Sequence, residues 1–372
     1  MADPDAAATD DAVRAGMWFS DGTRRAVGGG GPTRIEVPSA EAGDAIRHLV
    51  AEGAPGVFFA AGFDPDTPTT LIVPDDLTVE RCSPLPDGEA SEPYGATRLR
   101  VTISESARTW SDAVARASAA IRDPSCPLEK VVLAREIRVR ADTAIDPRVV
   151  LGRLAGTFPT AFLYSIGGVV GASPELLGQV FDGRFHARAL AGTIGRNADP
   201  RRDSQAAANL LRSAKDRHEH RLLQSFLGQR LAAVVDDLRY PAEPQILTLT
   251  NVHHLMTTFD GRVSDRCSGP GGLVDLVVAV HPTPAIAGVP QAEALAWIRA
   301  HEPPRGRLGG FAGWTDAQGD GQAVLVIRSL ELDGFDVRLV VGNGIVGDSD
   351  PAAEVRENQD KARGILDAVT SL

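Results

Sequence analysis

Two Asp-Gly steps, each set between alternating apolar segments, constrain the fold of this chain more than any other feature. Asp182-Gly183 separates Gln179-Val180-Phe181 from Arg184-Phe185-His186, and Asp333-Gly334 separates Val324–Leu332 from Phe335–Val341. Both residues of such a step reach positive φ at little cost, as a two-residue hairpin turn requires. The second half of the chain is therefore predicted to be antiparallel sheet. Lys130–Val139 adds a strand with Val131, Leu133, Ile137 and Val139 on one face. Phe162–Val170 and Leu176–Val180 read as further strands.

Two helical stretches interrupt this sheet. Ala206–Val235 has apolar residues at helical spacing, among them Leu210, Leu223, Leu227 and Leu231, and reads as one long helix. The last helix starts with Asp350 as N-cap and Pro351 at its first position and runs through Ala368. Upstream the pattern is weaker: Val57–Ala61 suits a buried strand, Ser111–Ile121 a helix, and residues 1–13 a ragged tail. Hairpins mixed with helices in this order predict an α+β architecture. At 372 residues the chain is long enough for two domains, yet no long linker divides it. Residues 1–111 read as the loosely patterned front of the same fold, and 112–372 as its functional region.

Composition excludes several classes. Charged residues are 23% and hydrophobic ones 43%, so the chain is neither disordered nor fibrous. No stretch approaches the roughly 18 apolar residues of a membrane span. A net charge of −11 argues against a nucleic-acid partner, while leaving room for a small anion held by local cations. Cys82, Cys126 and Cys267 are too few and scattered for a disulfide framework or a thiolate metal site, which points to a reducing, cytoplasmic setting.

The residues that could carry chemistry sit on these elements. Asp216, Glu219 and His220 share a helix side above Leu223 and Leu227, and Glu354 and Glu357 share one with Lys361 and Ile365. Two such helices facing one space would offer hard oxygen ligands suited to Mg²⁺; two solvated faces with internal ion pairs explain the same pattern. His218 and His220 are at i and i+2 and point apart, so a zinc hydrolase motif is excluded. Gly167-Gly168 and Gly342-Asn343-Gly344 lack the context of a phosphate loop, although the second would let a ligand approach backbone N–H groups. Lys130 lies beside Val132 and Ala134, either as a base made usable by apolar neighbours or as an edge lysine in water. Arg328 shares a predicted strand face with Val324, Val326, Leu330 and Leu332, which demands an anionic partner in the protein or a carboxylated ligand. Glu175 follows Ser173-Pro174 at a strand junction and faces either a ligand or a surface turn; His254 and His281 suit core or loop positions.

Taken in order, these segments resemble the chorismate-utilising enzymes. Lys130-Val-Val-Leu-Ala-Arg is similar to their base-bearing strand, Gly171-Ala-Ser-Pro-Glu-Leu-Leu177 to their acid-bearing segment, and Leu190-Ala-Gly-Thr193 to their Leu-Ala-Gly-Thr turn. Lys215-Asp-Arg-His-Glu-His220, Val252-His-His-Leu255, His281-Pro-Thr-Pro-Ala285, Ile327-Arg-Ser329, Gly342-Asn-Gly-Ile-Val346 and Glu354-x-x-Glu357-x-x-x-Lys361 follow in sequence. The likeness covers about residues 112–370. It implies the anthranilate synthase component I-like fold, with large antiparallel sheets surrounded by helices, and a monomer acting on chorismate with Mg²⁺.

The resemblance also distributes roles. Glu219 and Glu357 would hold the metal, with Asp216 and Glu354 as further ligands or supports; Lys130 would be the base and Glu175 the acid. Ala191, Gly192, Thr193, His254, Arg328, Gly342, Gly344 and Lys361 would bind substrate. Lysine at 130 is the residue of family members that add water, where the ammonia users have glutamine. Ala191 stands where aminodeoxychorismate-forming members carry a nucleophilic lysine. The implied activity is isochorismate formation, for menaquinone or a siderophore. The alternatives are salicylate formation by further loss of pyruvate, ammonia addition, and binding without catalysis. Four positions depart from the family pattern: Arg188-Ala189 before the turn, Asn343 for alanine, Asn358 for threonine, and Arg307-Leu308 where aromatic residues follow Arg-Gly. The last implies the loss of an aromatic wall.

Overall fold

The computed structural model describes residues 4–82, 98–103, 106–249 and 252–370. In chain order the first elements are α1 (Pro4–Ala15), β1 (Met17–Ser20), β2 (Arg24–Gly29), β3 (Thr33–Val37), α2 (Ala42–Ala51), β4 (Gly56–Ala60), β5 (Thr69–Val73), β6 (Asp76–Arg81) and β7 (Leu99–Ile103). Then come α3 (Ala107–Arg122), β8 (Lys130–Ala141), α4 (Pro147–Thr157), β9 (Phe162–Ile166), β10 (Val169–Ser173), β11 (Leu176–Phe181), β12 (Arg184–Gly195), α5 (Pro200–Arg212) and α6 (Ala214–Leu231). The chain continues through β13 (Val235–Arg239), β14 (Gln245–Thr248), β15 (Val252–Val263), α7 (Gly272–Val280), β16 (Gly288–Val289) and α8 (Gln291–His301). It closes with β17 (Phe311–Asp316), β18 (Gly321–Leu325), β19 (Ser329–Asp333), β20 (Asp336–Ile345) and α9 (Pro351–Thr370).

Among the described residues the strands form two antiparallel sheets of ten. One runs β16-β8-β20-β19-β10-β9-β1-β2-β6, with β7 also on β8; the other runs β13-β15-β12-β11-β18-β17-β4-β5-β3, with β14 also on β15. Strands from before residue 111 thus lie in both sheets. Phe19, Phe58, Tyr164, Leu176, Trp314 and Val324, drawn from both sheets, form one buried cluster. On α6, Leu223, Leu227 and Leu231 share another with Phe185, Ala187 and Ala189 of β12. Ala362, Ile365 and Ala368 of α9 cluster with Leu339 and Val341 of β20.

The predicted turns form, with one difference. Asp182 (φ 52) and Gly183 (φ 69) are the central pair between Phe181 and Arg184. At the second step Asp333 pairs with Asp336, so the loop is Gly334-Phe335 and only Gly334 (φ 59) is left-handed. Four predicted elements change. Residues 1–13 are no ragged tail where described: α1 buries Ala12 and Val13. The helix expected over 206–235 is broken at Ser213, which ends α5 and caps α6 by accepting from the Asp216 N–H at 3.3 Å. Phe162–Val170 is a hairpin rather than one strand, because Gly167 (φ 60) and Gly168 (φ 88) supply an unpredicted tight turn.

The fourth change matters most for the site. The expected strand Val324–Leu332 is two strands in different sheets, with the chain crossing between them over 326–328. Beside it, β10 crosses to β11 through Pro174-Glu175. Proline cannot donate to a ladder, which favours the break there. The crossings are bonded together: Ala172 N–H donates to Arg328 O at 3.1 Å, and Leu325 N–H to Glu175 O at 3.1 Å.

Strand β8 is fixed by a buried ion pair. Arg305 donates to Glu302 Oε2 through Nε at 2.9 Å and Nη2 at 2.7 Å, and reaches Ile286 O and Val132 O. Glu302 Oε1 accepts the Ala134 N–H at 2.8 Å. Removing Arg305 takes this fork from a buried carboxylate. Arg305→Ala is therefore expected to destabilise the protein by about 3–5 kcal/mol, with Arg305→Lys failing to restore the forked contact. Urea unfolding midpoints measure this, and a loss below about 1 kcal/mol would contradict the assignment.

Candidate active site

The two crossings place Glu175 and Arg328 beside the start of β8. Arg328 is not on a strand face as the alternation suggested. It sits at the crossing with φ 51, a left-handed conformation that is uncommon for a residue other than glycine, and its guanidinium lies 5.1 Å from the Phe158 ring centre. The neighbouring Ser329 shares a buried hydrogen bond of 2.5 Å with Tyr164 Oη. Gly171 makes room for it, since a Cβ there would fall 2.3 Å from Ser329 Oγ. The sequence reading missed Tyr164; the only trace was the serine of Ile327-Arg-Ser329.

Glu175 is buried, and burial pushes its carboxyl up to about 8 against the pull of the Lys130 and Arg328 charges. It is therefore largely protonated at neutral pH. Lys130 is also buried, 4% exposed, and its Nζ donates to Glu219 Oε1 at 2.6 Å. Burial alone would raise Glu219, but the charge and hydrogen bond of Lys130, aided by Lys361 and Lys215, hold it below its ordinary value. On β20, Gly344 has no side chain for a reason: a Cβ would come within 2.8 Å of Lys130 Cε and 3.6 Å of Glu219 Oε1. Gly342 offers its carbonyl to Lys361 Nζ at 3.1 Å.

The other side of the site is a bulge in β12. Its pairing with β15 shifts between Ala191 and Thr193, where Gly192 has φ 80. A Cβ on Gly192 would lie 3.1 Å from Asp216 Cβ, so glycine serves both the backbone and the approach of α6. His220 fixes the bulge from below. Its Nδ1–H donates to Ala191 O at 3.2 Å and its Nε2 accepts from Thr257 Oγ1 at 2.8 Å, an assignment that follows because the carbonyl can only accept. Burial lowers its pKa, consistent with a neutral ring. His254 meets Thr193 Oγ1 at 2.8 Å through Nδ1, while its buried Nε2 has no partner among the described residues. Burial and then the Arg328 charge push His254 down to about 4, so its imidazole is uncharged at neutral pH.

The expected site residues are thus brought together with two qualifications. Glu354 turns to Asn343, whose Nδ2 donates to Glu354 Oε2 at 2.9 Å, rather than to the Lys130–Glu219 pair. Among the described residues no three His, Cys, Asp or Glu side chains form a ready metal cage. The donor set nevertheless suits a hard divalent cation. Glu219 and Glu357 are carboxylates on α6 and α9, and each is neutralised by an ammonium, Lys130 and Lys361 (2.7 Å), where a cation could stand. His281 serves the core, with Nε2–H directed to Phe63 O at 3.1 Å and its ring edge-on to Phe311. Leu308, where an aromatic residue was expected, is 2% exposed and packs in the cluster between the sheets. A cleft of about 1080 Å³ lined by Asp21, Arg24, Arg188 and Arg239 contains none of these acid, base or carboxylate groups.

Comparison with known proteins agrees with this geometry. The model of the family described as chorismate binding enzyme matches residues 80–370. The isochorismate synthase EntC of Escherichia coli K12 is 35% identical over 324 residues, covering 82% of this chain and 79% of its own. The isochorismate synthase DhbC of Bacillus subtilis 168 is 30% identical over 354 residues, covering 91% and 87%. Among solved structures, the menaquinone-specific isochorismate synthase MenF of E. coli superposes with a TM-score of 0.78 at 22% identity, over 97% of this chain and 91% of that one. The fold is shared with anthranilate synthase component I of Streptococcus pneumoniae, at a TM-score of 0.70 and 19% identity over 87% and 85%.

The protonated Glu175 has a measurable signature. A carboxyl raised from 4.5 to about 8 favours folding fully below the unfolded value, and that contribution is lost as pH climbs through the folded one. Relative to Glu175→Gln, the unaltered protein should therefore lose stability between about pH 5 and about pH 9. Thermal melts of both proteins across this range decide it; parallel curves would show that Glu175 ionises normally.

Proposed function

The chain belongs to the chorismate-binding enzymes, and from that premise we propose that it is an isochorismate synthase, an isomerase that adds water at ring carbon C2 of chorismate and expels the C4 hydroxyl. The observation that carries this reading is a carboxyl kept neutral by burial in the same enclosure as a buried lysine. Such a pair can supply a proton to one side of a ring and remove one from the other.

In this reading Lys130, as the free amine, takes a proton from the attacking water, so its contact with Glu219 must part first. Glu175 gives its proton to the departing hydroxyl, which leaves as water. One water enters and one leaves, so the product is an isomer. The cycle leaves Lys130 as the ammonium and Glu175 as the carboxylate, and passage of one proton from the lysine to the carboxylate through solvent resets both. Arg328 pairs with the enolpyruvyl carboxylate, and the unpartnered Nε2 of His254 meets a polar group of the substrate. The open backbone at Gly192, Gly342 and Gly344 lets the ring lie close to β12 and β20. Mg²⁺ held by Glu219 and Glu357, supported by Asp216 and Glu354, would bind the ring carboxylate and replace the neutralisation that Lys130 and Lys361 now give.

The finer assignments belong to the same proposal. Relatives' names include menaquinone- and siderophore-specific enzymes, and the product of this enzyme would feed one of those routes. No helix among the described residues is long and apolar enough to cross a membrane. Cys82, Cys126 and Cys267 are free thiols, which suits a reducing cytoplasm.

Lys130→Ala and Glu175→Gln are each expected to cut turnover by about 10²–10⁴-fold while chorismate binding with Mg²⁺ stays measurable. Purified protein with chorismate and Mg²⁺, its products separated chromatographically and pyruvate followed with lactate dehydrogenase, provides the test. Isochorismate without pyruvate supports the proposal. Stoichiometric pyruvate would make the enzyme a salicylate synthase, and near-normal turnover in either variant would refute the roles of base and acid assigned to Lys130 and Glu175.

A further inference from the structure

We propose that Asn343 and Asn358 form a register lock that sets α9 along β20 and thereby delivers Glu357 and Lys361 to the site; this rests on the divalent-ion reading above. Both asparagines are 0% exposed. Along β20, Val341, Asn343 and Ile345 point to the buried side, opposite Gly342 and Gly344, of which Gly344 borders the Lys130–Glu219 pair. From that rear face Asn343 Nδ2 donates to the main-chain oxygen of Glu354 at 3.2 Å and to its Oε2 at 2.9 Å. Asn358 Nδ2 donates to Val341 O at 3.0 Å and to Asn343 Oδ1 at 3.1 Å.

The four bonds engage successive turns of α9 and successive inward positions of β20, so they oppose both sliding and rotation of the helix. A slip of one residue would turn α9 by roughly 100° and break all four. It would also carry Lys361 away from Gly342 O and, with it, the Glu357 carboxylate that Lys361 holds at 2.7 Å. Replacing one alone strands a buried amide, whereas replacing both need not. Asn343 and Asn358 touch no reacting atom and are positioning residues.

The test is a cycle of Asn343→Ala, Asn358→Thr and the double variant in the full chain, read by thermal melting and by Mn²⁺ affinity from electron paramagnetic resonance. Asn343→Ala is expected to weaken Mn²⁺ binding about tenfold or more and to raise the Mg²⁺ concentration for half-maximal rate more than it lowers kcat. The double variant should recover most of both the affinity and the melting temperature. Asn343→Ser, which retains a polar group, guards against a variant that does not fold and should fall between. Mn²⁺ affinity within about twofold of the unaltered protein in Asn343→Ala, or additive effects of the two substitutions, would overturn the lock. If the unaltered chain bound no Mn²⁺, the divalent-ion reading would fall instead. The melting cycle needs no metal and would still decide the lock, coupling supporting it and additivity overturning it.

Discussion

Everything at this site depends on two strands leaving their sheets side by side. At a single point β10 passes to β11 and β18 passes to β19, and the two passages bond to each other through Ala172 N–H to Arg328 O and Leu325 N–H to Glu175 O. An isolated crossing would expose backbone donors and acceptors inside the protein, which is costly. The paired crossing satisfies them mutually and can therefore sit in the interior. What it gains is placement: Glu175 and Arg328 emerge beside Lys130 at the start of β8, where neither a continuous strand nor a surface loop could hold them. The left-handed backbone of Arg328 is tolerated because the surrounding ladder determines it.

Burial at that point then sets the charge. Glu175 faces two cations, an arrangement that would ordinarily hold a carboxyl ionised, yet desolvation outweighs both. With that acid neutral, the Arg328 guanidinium has no charge to answer it in Glu175, which favours an anionic group on a ligand. The chain as a whole carries −11. A global charge could never have shown this, because the sign of the local field is decided by which carboxyls lose their charge on burial.

The limits of the sequence follow from the same physics. The hairpin at Asp182-Gly183, the β8 strand and the capped α9 were legible because each is specified within a few residues by turn chemistry, alternation or an N-cap. The crossing at Arg328 was not. Val324, Val326, Leu330 and Leu332 keep one parity with only Arg328 between them, yet the two pairs fall in different clusters on either side of the break. Alternation reports that every second residue is buried and is silent about which surface buries it. The split at Ser213 was hidden for a related reason, since the apolar stripe continues through α5 and α6 although the backbone does not. At the site itself, the candidate acid, base and carboxylates could be named from family motifs. The supporting residues Tyr164 and His220 act through long-range contacts to Ser329 and Ala191, which no local pattern records.

The four departures from the family pattern show how a site persists while its surroundings change. Arg188 lies on β12 beyond the bulge, where it borders the Asp21 and Arg239 cleft. Leu308 fills space between the sheets, while Arg307 beside it bonds Gly167 O and Thr70 Oγ1 and so ties the two sheets together. Asn343 and Asn358 face the back of β20. Asn343 lies on the face of β20 opposite Gly344 and Lys130, and Asn358 bonds it from behind. A volume change at Leu308 is absorbed by the neighbours in its cluster, and a polarity change at Asn343 is answered by Asn358. In the first case packing must adjust over many weak contacts, whereas in the second a single hydrogen-bond partner suffices. Substitutions behind a catalytic surface are therefore tolerated on different terms: apolar ones singly, buried polar ones only in pairs.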